Sequence, residues 1–321
     1  MLSKNIIKPQ MLKAVPITAD QFQRHFPSPM HPYNSVPFTE LNRYKVEEVI
    51  YLALTDEKNR TLFGIILGKK GSTLLSPFSA PFGGIESARP HGVGRWIECA
   101  ECLRDFALAT KMSIHIALPP AFYCNNDSIT AQSMALEYAG FCNIPEYNYH
   151  FELQPCEMSR AARKNLATAE RHNFTVGLTD DVERAYKVIE ANRREQGYPL
   201  RMTLSQVLET VKIVKADFWV VSLNGTDVAA AQIFHLTPRV VQVIYWGDLR
   251  AYSAMRPMNL LASEIARYYR REGKIVDVGP SSSGGVPSTG LCDFKSGVGC
   301  RLTPKNVFTL SVVGGEISTV E

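Results

Sequence analysis

The sequence predicts an α/β fold of two similar domains, each a mixed β-sheet flanked by helices. The main observation is an order of elements that occurs twice: three β-rich segments, a loop, an amphipathic helix and a further strand. A chain of 321 residues has room for two such domains. The first set of segments is 46–54, 61–68, 72–76, 96–108 and 113–118, and the second is 218–223, 228–236, 240–247, 257–272 and 274–278.

The connecting segments predict where the two domains meet. Helical patterns cover 128–140, 159–172, 180–196 and 203–215, and a strand is expected at 147–154. We place the boundary near Pro155, which gives domains 1–155 and 156–321. A last β-rich run at about 306–313 could complete either sheet. The prolines scattered through residues 1–45 predict an irregular lead-in.

Composition limits the class of protein. Hydrophobic residues make up 45% and charged residues 21% of the chain, with a formal net charge of +4. The longest apolar stretch, Val49 to Leu54, is far shorter than the roughly 18 residues of a membrane helix, so no membrane span is expected. Lys4 and Lys8 enclose too few apolar residues for a secretory signal, and the expected compartment is the cytoplasm.

The cysteines predict neither a disulfide framework nor a metal site. There are seven, an odd number, widely spread along the sequence. Cys99 and Cys102 form a C-x-x-C pair, but this pair lies inside a helical pattern and has no second pair at zinc-ligand spacing. We therefore expect helix packing at these positions and no bound metal.

The loop at Arg89–Gly94 could bind phosphate. It fits R-x-x-G-x-G through Arg89, Gly92 and Gly94, and it leads directly into a helix. Two glycines allow a ligand to approach the backbone, and free amides at a helix N-terminus attract anions. A simple flexible loop is the alternative.

The matching junction of the second half lacks glycines. It offers Arg250 and Arg256 as phosphate partners, with Pro257 at the first helical position. The alternative is ordinary surface charge. The sequence alone therefore does not assign a donor pocket to one domain.

Three residues at the end of a strand in the second half could form part of a reaction site. Tyr245 and Trp246 end an apolar strand, and Asp248 follows at the expected mouth of the sheet. A carboxylate there could accept a proton from an attacking amine. The alternative is that Asp248 caps the next turn.

Two later segments predict substrate contacts. Residues 277–285, which include Asp277 and Ser282, leave a strand and become polar and glycine-rich, as in a binding loop or a plain solvent loop. In the glycine-flanked segment 290–299, Phe294 precedes Lys295, whose cation could hold a phosphate or a developing oxyanion.

The helix at 159–172 is basic, and it could face RNA or simply be a solvated helix surface. The chain has no G-x-S-x-G, H-E-x-x-H or Walker A pattern, which argues against those hydrolase, zinc-protease and P-loop families.

Several of these segments, taken in order, resemble the tandem-GNAT superfamily, which includes the Fem peptidyltransferases and related bacterial N-acetyltransferases. The resemblance extends over about the whole chain and is strongest from 159 to 300. The segments that carry it are the helix 159–174 with Arg163, Asn165 and Ala169, the alanine-rich Ala229–Gln232, the helix that ends at Gly273, Asp277-Val278-Gly279, and Phe294-Lys295 followed by Gly297 and Gly299.

The resemblance implies two GNAT-like domains with a groove between them and acyl transfer to a primary amine without a metal. Acetyl-CoA or another acyl-CoA is the expected donor, bound by Arg89, Gly92, Gly94 and Arg256. Lys295 and Asp248 are the expected catalytic residues, and the acceptor would meet Phe294, Tyr245, Trp246, Asp277 and Ser282.

Two alternatives stay open. A Fem-like enzyme would use aminoacyl-tRNA on a cell-wall precursor, but the long charged coiled-coil insertion of some Fem members is absent here. A non-catalytic ligand-binding module could retain the same fold. The acceptor is expected to be a small molecule or a cell-wall-precursor amine.

Overall fold

A computed structural model describes residues 12–124 and 126–317. It confirms the α/β class with two mixed sheets flanked by helices. The contacts divide the chain into two compact units: one contains the residues up to Pro145 together with those from Lys305 onward, and the other is Glu146–Pro304. The division lies ten residues before the expected boundary at Pro155, and the C-terminal strand belongs with the first unit.

The first unit is built on an eight-stranded sheet. Its elements up to Pro145 are β1 (Lys13–Ile17), α1 (Ala19–His25), α2 (Val36–Asn42), β2 (Glu48–Thr55), β3 (Thr61–Lys70), β4 (Thr73–Ser76), β5 (Glu86–Ser87), α3 (Val93–Thr110), β6 (Ser113–Ala117), α4 (Ser128–Tyr138) and β7 (Cys142–Asn143).

The second unit is built on a seven-stranded sheet. Its elements are β8 (Glu146–Phe151), α5 (Arg160–Ala169), β9 (Phe174–Thr179), α6 (Val182–Gln196), α7 (Leu204–Thr210), β10 (Ala216–Leu223), β11 (Thr226–His235), β12 (Val240–Asp248), α8 (Pro257–Arg271), β13 (Ile275–Pro280), β14 (Ser282–Ser283), β15 (Val286–Pro287), α9 (Thr289–Gly297) and β16 (Arg301–Lys305). The chain then returns to the first unit with β17 (Val307–Leu310), β18 (Val312–Val313) and β19 (Glu316–Ile317).

The two sheets have matching strand orders. The first runs β1-β2-β3-β4-β6-β17-β7, with β5 beside β3, and the second runs β9-β10-β11-β12-β13-β8-β16. In each, a four-stranded antiparallel meander meets the strand after the crossover helix in a parallel pair, β4 with β6 and β12 with β13. This parallel pairing is what a strand–helix–strand crossover produces.

The expected irregular lead-in is wrong for most of residues 13–45, although 26–31, which contains Pro27 and Pro29, is irregular. Residues 1–11 lie outside the described residues. The prolines inside the regular elements occupy positions that tolerate them. Pro16 lies on β1, an edge strand, and Pro37 lies in the first turn of α2. Thr18 begins α1 with a capping box to Gln21, which satisfies two backbone donors at the start of the helix.

Helices cover both faces of the second sheet. Leu261, Ile265 and Tyr269 of α8 pack with α5 on one face. Ile189 of α6 and Val207 of α7 pack on the other. Strands buried on both faces are expected to be nearly continuously apolar, as β11 is. Among the described residues, every helix falls short of the length and apolar character that a bilayer crossing needs.

Candidate functional site

The two parallel strands of the second sheet separate part of the way along their length. β12 pairs with β13 at Val240, Val241 and Gln242, the last of which lies opposite Asp277. Within the part of the chain that the structure describes, this pairing stops there, whereas β11 accompanies β12 as far as Asp248. Residues 243–248 therefore present one edge of backbone N–H and C=O groups to which a ligand can bind. We call this segment the open edge.

A β-bulge sets the side-chain directions along the open edge. The register of β11 and β12 shifts where Gln232 lies opposite Tyr245 and Ile233 opposite Val243. An extra residue reverses the alternation of side chains. Trp246 consequently packs on the face covered by α8, and Tyr245 packs on the α6 face.

Asp277 fixes the last paired position. Its side chain is fully buried, and it accepts hydrogen bonds from Gln242 Nε2 at 2.7 Å, Asn148 Nδ2 at 2.8 Å and the Gly279 amide at 3.0 Å. Three donors compensate the cost of burying a carboxylate. Asp277 thus joins β12, β13 and β8, whereas the sequence predicted a substrate contact here, where the strand passes into a polar segment.

Lys295 holds the end of β13 directly after that point. The segment 290–299, expected as a loop, contains helix α9, and the Lys295 side chain is 5% exposed. Its Nζ donates to the carbonyl oxygens of Val278, Gly279 and Pro280 at 3.1, 2.9 and 3.1 Å. An ammonium group has three donors, and all three are used. The cation expected to hold phosphate or an oxyanion is directed at the protein backbone instead.

We refer to Asp277 and Lys295 together as the strand-end clamp. Burial lowers the pKa of Lys295 to about 8, an effect that Cys300 and the nearby Asp277 carboxylate partly offset. Gly279 has φ +76°, which lets β13 turn away from β12 between the two side chains.

Asp248 lies at the far end of the open edge. Its carboxylate accepts a hydrogen bond from Ser253 Oγ at 2.9 Å, and its carbonyl accepts one from Asn192 Nδ2 at 2.7 Å. Burial raises the pKa of Asp248, with a smaller contribution from the neighbouring Glu195 carboxylate. Both expected roles are compatible with this geometry, because the side chain bonds the next turn and is only half-buried.

The backbone is unusually close to α6 here. A Cβ on Gly247 would lie 2.3 Å from the Asn192 side chain, so only glycine fits. Asn192 was not identified from the sequence, and the glycine beside Asp248 was its only signal.

Arg250 and Arg256, the two expected phosphate partners of the second half, lie in the segment that leads into α8. Arg256 precedes the helix with φ +64°, and Pro257 has no amide proton. The Arg250 amide donates to Glu195 Oε2 at 2.8 Å, and the Arg250 guanidinium donates to the Glu195 carbonyl at 3.1 Å. Arg256 is exposed and lies within electrostatic reach of Asp248.

Phe294 and Ser282 contact different elements of the second unit. The Phe294 ring meets the Trp246 ring edge-on at 6.0 Å between centroids, so α9 contacts the open edge through this pair. Ser282 Oγ accepts from the Tyr147 amide at 2.8 Å and donates to Glu146. These bonds tie the start of β14 to β8.

Arg89, Gly92 and Gly94 lie in the first unit, at the start of α3. All three are exposed, Gly92 is the N-cap residue without a side-chain cap, and a Cβ on either glycine would meet no atom within 4 Å. The helix start is thus accessible, and neither glycine is required by close packing.

In the first unit, however, the chain itself fills the space between the parallel strands. The Gly83 amide donates to the Ala117 carbonyl at the end of β6, at 2.9 Å. A Cβ on Gly83 would lie 2.8 Å from Ser76 Oγ at the end of β4. Phe82 and Ile85 beside it are almost fully buried. We call residues 82–86 the plug.

A buried carboxylate anchors the plug. Glu86 accepts hydrogen bonds from Asn34 Nδ2 at 2.7 Å and from the Met30 amide at 3.1 and 3.2 Å. Both donors are neutral, and burial raises the pKa of Glu86 to about 7. Glu86 was not identified from the sequence, because its burial depends on the path of residues 77–92.

The structure therefore gathers Tyr245, Trp246, Asp248, Arg256, Phe294, Lys295, Asp277 and Ser282 in the second unit, and it places Arg89, Gly92 and Gly94 in the first. Among residues 12–124 and 126–317, no group of three or more His, Cys, Asp or Glu side chains is arranged to hold a metal.

Replacing Lys295 by Met should lower the free energy of unfolding by about 2 kcal/mol or more, because it leaves three carbonyls without their donor and removes the positive charge near the buried Asp277 carboxylate. Lys164→Met, a change of an exposed lysine on α5, is the control and should have little effect. Chemical denaturation measures both.

Because the folded-state pKa of Lys295 lies below the ordinary 10.5, wild-type stability should also rise between pH 8 and 10.5, and Lys295→Met should lack this rise. Equal stability of the two variants would contradict the clamp.

Glu86→Gln should stabilise the protein increasingly as pH rises. The folded-state pKa of about 7 lies above the ordinary 4.5, so the wild type is most stable with Glu86 protonated and loses stability between pH 4.5 and 7. The difference between variant and wild type should grow by about 3 kcal/mol over this range. Denaturation at several pH values measures it, with exposed Glu57→Gln as the control. A pH-independent difference would show that Glu86 is not buried as described.

Comparisons with known proteins support the fold. No family model matches the sequence, and no curated protein matches it. The structure of FemX is similar over 94% of this chain and 97% of that chain, with 11% identity and a TM-score of 0.62. L-PGS from Bacillus licheniformis is similar over 92% of each chain, with 11% identity and a TM-score of 0.57.

A tandem GNAT protein from the clavulanic acid biosynthesis pathway is similar over 93% of this chain and 98% of that chain, with 13% identity and a TM-score of 0.51. At such identities the similarity concerns the fold. The chain therefore has a tandem GNAT-like fold related to that of FemX, as its sequence motifs indicated.

Proposed function

We propose that this protein is an acyltransferase that joins an acyl group to a primary amine at the open edge of the second unit. The observation that carries the proposal is the end of β12–β13 pairing at Gln242 and Asp277, with the clamp holding the strands apart. An unpaired strand edge offers backbone donors in a fixed position, which suits both a strand-like donor arm and an oxyanion.

The reaction would be a direct attack. The nitrogen of a neutral amine adds to the carbonyl carbon of the activated ester, and a backbone N–H of the open edge stabilises the oxyanion. Asp248, or a water bonded to it, accepts the proton that the nitrogen loses. As the tetrahedral intermediate collapses, the carbon–sulfur bond breaks and the thiolate leaves and takes up a proton. In this scheme Lys295 positions the strand end and does not contact the reacting atoms.

The proposed donor is acetyl-CoA or another acyl-CoA. Arg256 is exposed at the start of α8 and would contribute positive charge for the pyrophosphate. In the first unit, the plug occupies the corresponding space between β4 and β6, which favours the second unit as the donor site. Arg89, Gly92 and Gly94 stay predictions, as does the cytoplasmic location, and the acceptor would be a small-molecule or cell-wall-precursor amine.

One observation favours an aminoacyl-tRNA donor as the second candidate. The amides of Leu249 and Arg250 already donate to Val228 and Glu195, and Pro257 has none. The Glu195 carboxylate thus occupies a position where a pyrophosphate would need a donor. Aminoacyl-tRNA has no pyrophosphate to place at this junction, so its ester could reach the open edge without meeting the Glu195 carboxylate.

Thermal unfolding with and without ligands should separate the donors. An acyl-CoA at about 100 times its dissociation constant should stabilise the protein by about 2.7 kcal/mol and raise the unfolding midpoint. Arg256→Gln should reduce this rise, and Arg271→Gln, at the other end of α8, should not. A rise with aminoacyl-tRNA alone would support the second candidate. No rise with either donor would contradict acyl transfer and favour a non-catalytic module.

Asp248→Asn should lower kcat by about a hundredfold or more, because the amide cannot accept the proton while it can still bond Ser253. The assay follows release of coenzyme A thiol with a panel of primary amines. The wild-type rate should rise with pH as the carboxylate ionises, and the variant should lack this rise. Asp180→Asn, an exposed position in the same unit, is the control. An unchanged kcat in Asp248→Asn would remove Asp248 from the mechanism.

A further inference from the structure

Arg193 on α6 contacts two aromatic rings, one of which belongs to the open edge. Its guanidinium carbon is 5.3 Å from the ring centroid of Tyr245 and 5.9 Å from that of Tyr198. Contacts of this kind hold a guanidinium plane in one orientation and leave its N–H groups free to bond at the edge.

The charge of Arg193 is not balanced by an acid. Among the described residues, no carboxylate oxygen lies within 4.0 Å of its guanidinium, and its Nε is shielded from solvent without a hydrogen-bond partner. Burial lowers the pKa of Arg193, and the only opposing contributions come from Tyr245 and Tyr198. Arg184, on the same helix, shows the contrast, because it is more exposed and still pairs with Asp227 at 2.7 Å. A half-buried cation without a counter-ion is costly to maintain, and such groups concentrate at binding sites.

The position of Arg193 connects it to the proposed reaction. The preceding residue, Asn192, donates to the Asp248 carbonyl at 2.7 Å, and Tyr245 is itself part of the open edge. Arg201 adds a second positive charge near the Tyr245 hydroxyl. The cation therefore lies on the α6 face of the strand whose end carries Asp248.

We infer that Arg193 binds an oxyanion, a phosphate or a carboxylate, on the acceptor amine. Assigning this anion to the acceptor rests on the proposed function, whereas the anion site itself does not. The planar fork of a guanidinium pairs with two oxygens of either group at once, and the Nε–H without a partner is one of the donors such a pair uses. The acceptor class is accordingly an amine that carries a negative charge.

The first test measures anion binding without any acyl donor. Calorimetry at fixed ionic strength gives dissociation constants for inorganic phosphate and for succinate, which separate a phosphate from a carboxylate preference. Arg193→Gln should weaken the preferred anion about tenfold or more. Arg194→Gln removes the same charge from the adjacent, exposed position and should change the dissociation constant less than twofold. Equal losses in both variants, or no binding of either anion to the wild type, would overturn the proposal.

A second variant shows whether a loss of anion binding comes from the site itself or from misfolding. Tyr198 is 51% exposed, so Tyr198→Leu should leave the unfolding midpoint unchanged and weaken the anion severalfold, because the guanidinium loses one of its two rings. Unchanged anion binding in both Tyr198→Leu and Arg193→Gln would reject the site.

Kinetics then test the assignment to the acceptor. With a charged amine, Arg193→Gln should raise KM and leave kcat nearly unchanged, and with an uncharged amine it should change neither. Loss of anion binding with no acyl transfer in the wild type would keep the site and reject the proposed function. A lower kcat with unchanged KM and unchanged anion binding would overturn the role of Arg193.

Discussion

The forced departure of β13 from β12 is the constraint on which the second unit depends. Asp277 accepts from three strand positions at the last paired residue, and Lys295 then binds the next three carbonyls. Buried carbonyl groups of β13 that no longer face β12 need other hydrogen-bond donors, and the Lys295 ammonium group is that donor. The same contacts fix α9, whose Phe294 meets Trp246. The open edge and its aromatic lining are therefore consequences of two buried charges.

The two units differ in what occupies the space between their parallel strands. A parallel pair that separates leaves unpaired backbone between its strands, and buried unpaired groups are costly. The first unit fills this space with its own plug, in which Gly83 donates to Ala117 and fits against Ser76. In the second unit, no strand of the described residues pairs with β12 beyond Gln242 on this side. One fold thus provides one closed and one open version of the same feature.

The charged residues around the open edge have different kinds of neighbour. Burial and, to a smaller extent, the nearby Glu195 carboxylate raise the pKa of Asp248, while Arg256 opposes that effect. Arg193, on the α6 face, has aromatic rings in place of a carboxylate. In the proposed reaction Asp248 would accept a proton at the end of the strand, and Arg193 would hold an anion on the α6 face.

The sequence by itself determined the class of fold and most of the elements, because strand and helix periodicities are local properties. Three of the four strands of each meander, the crossover helix and the strand after it follow from these periodicities, whereas β1 and β9 were not predicted. The ordered motifs indicated the tandem GNAT-like fold. It also identified the end of β12 as a place of interest through Tyr245, Trp246 and Asp248.

Only the tertiary structure decided what the charged residues contact. Lys295 lies in a glycine-flanked segment, and Asp277 begins a polar, glycine-rich one. Both are nevertheless buried, because residues distant in the sequence supply their partners. Arg193 looks like any surface arginine of a helix until Tyr198 and Tyr245 enclose it. The energy of a charge depends on its solvation and its neighbours in space, and a sequence specifies neither until the chain has folded.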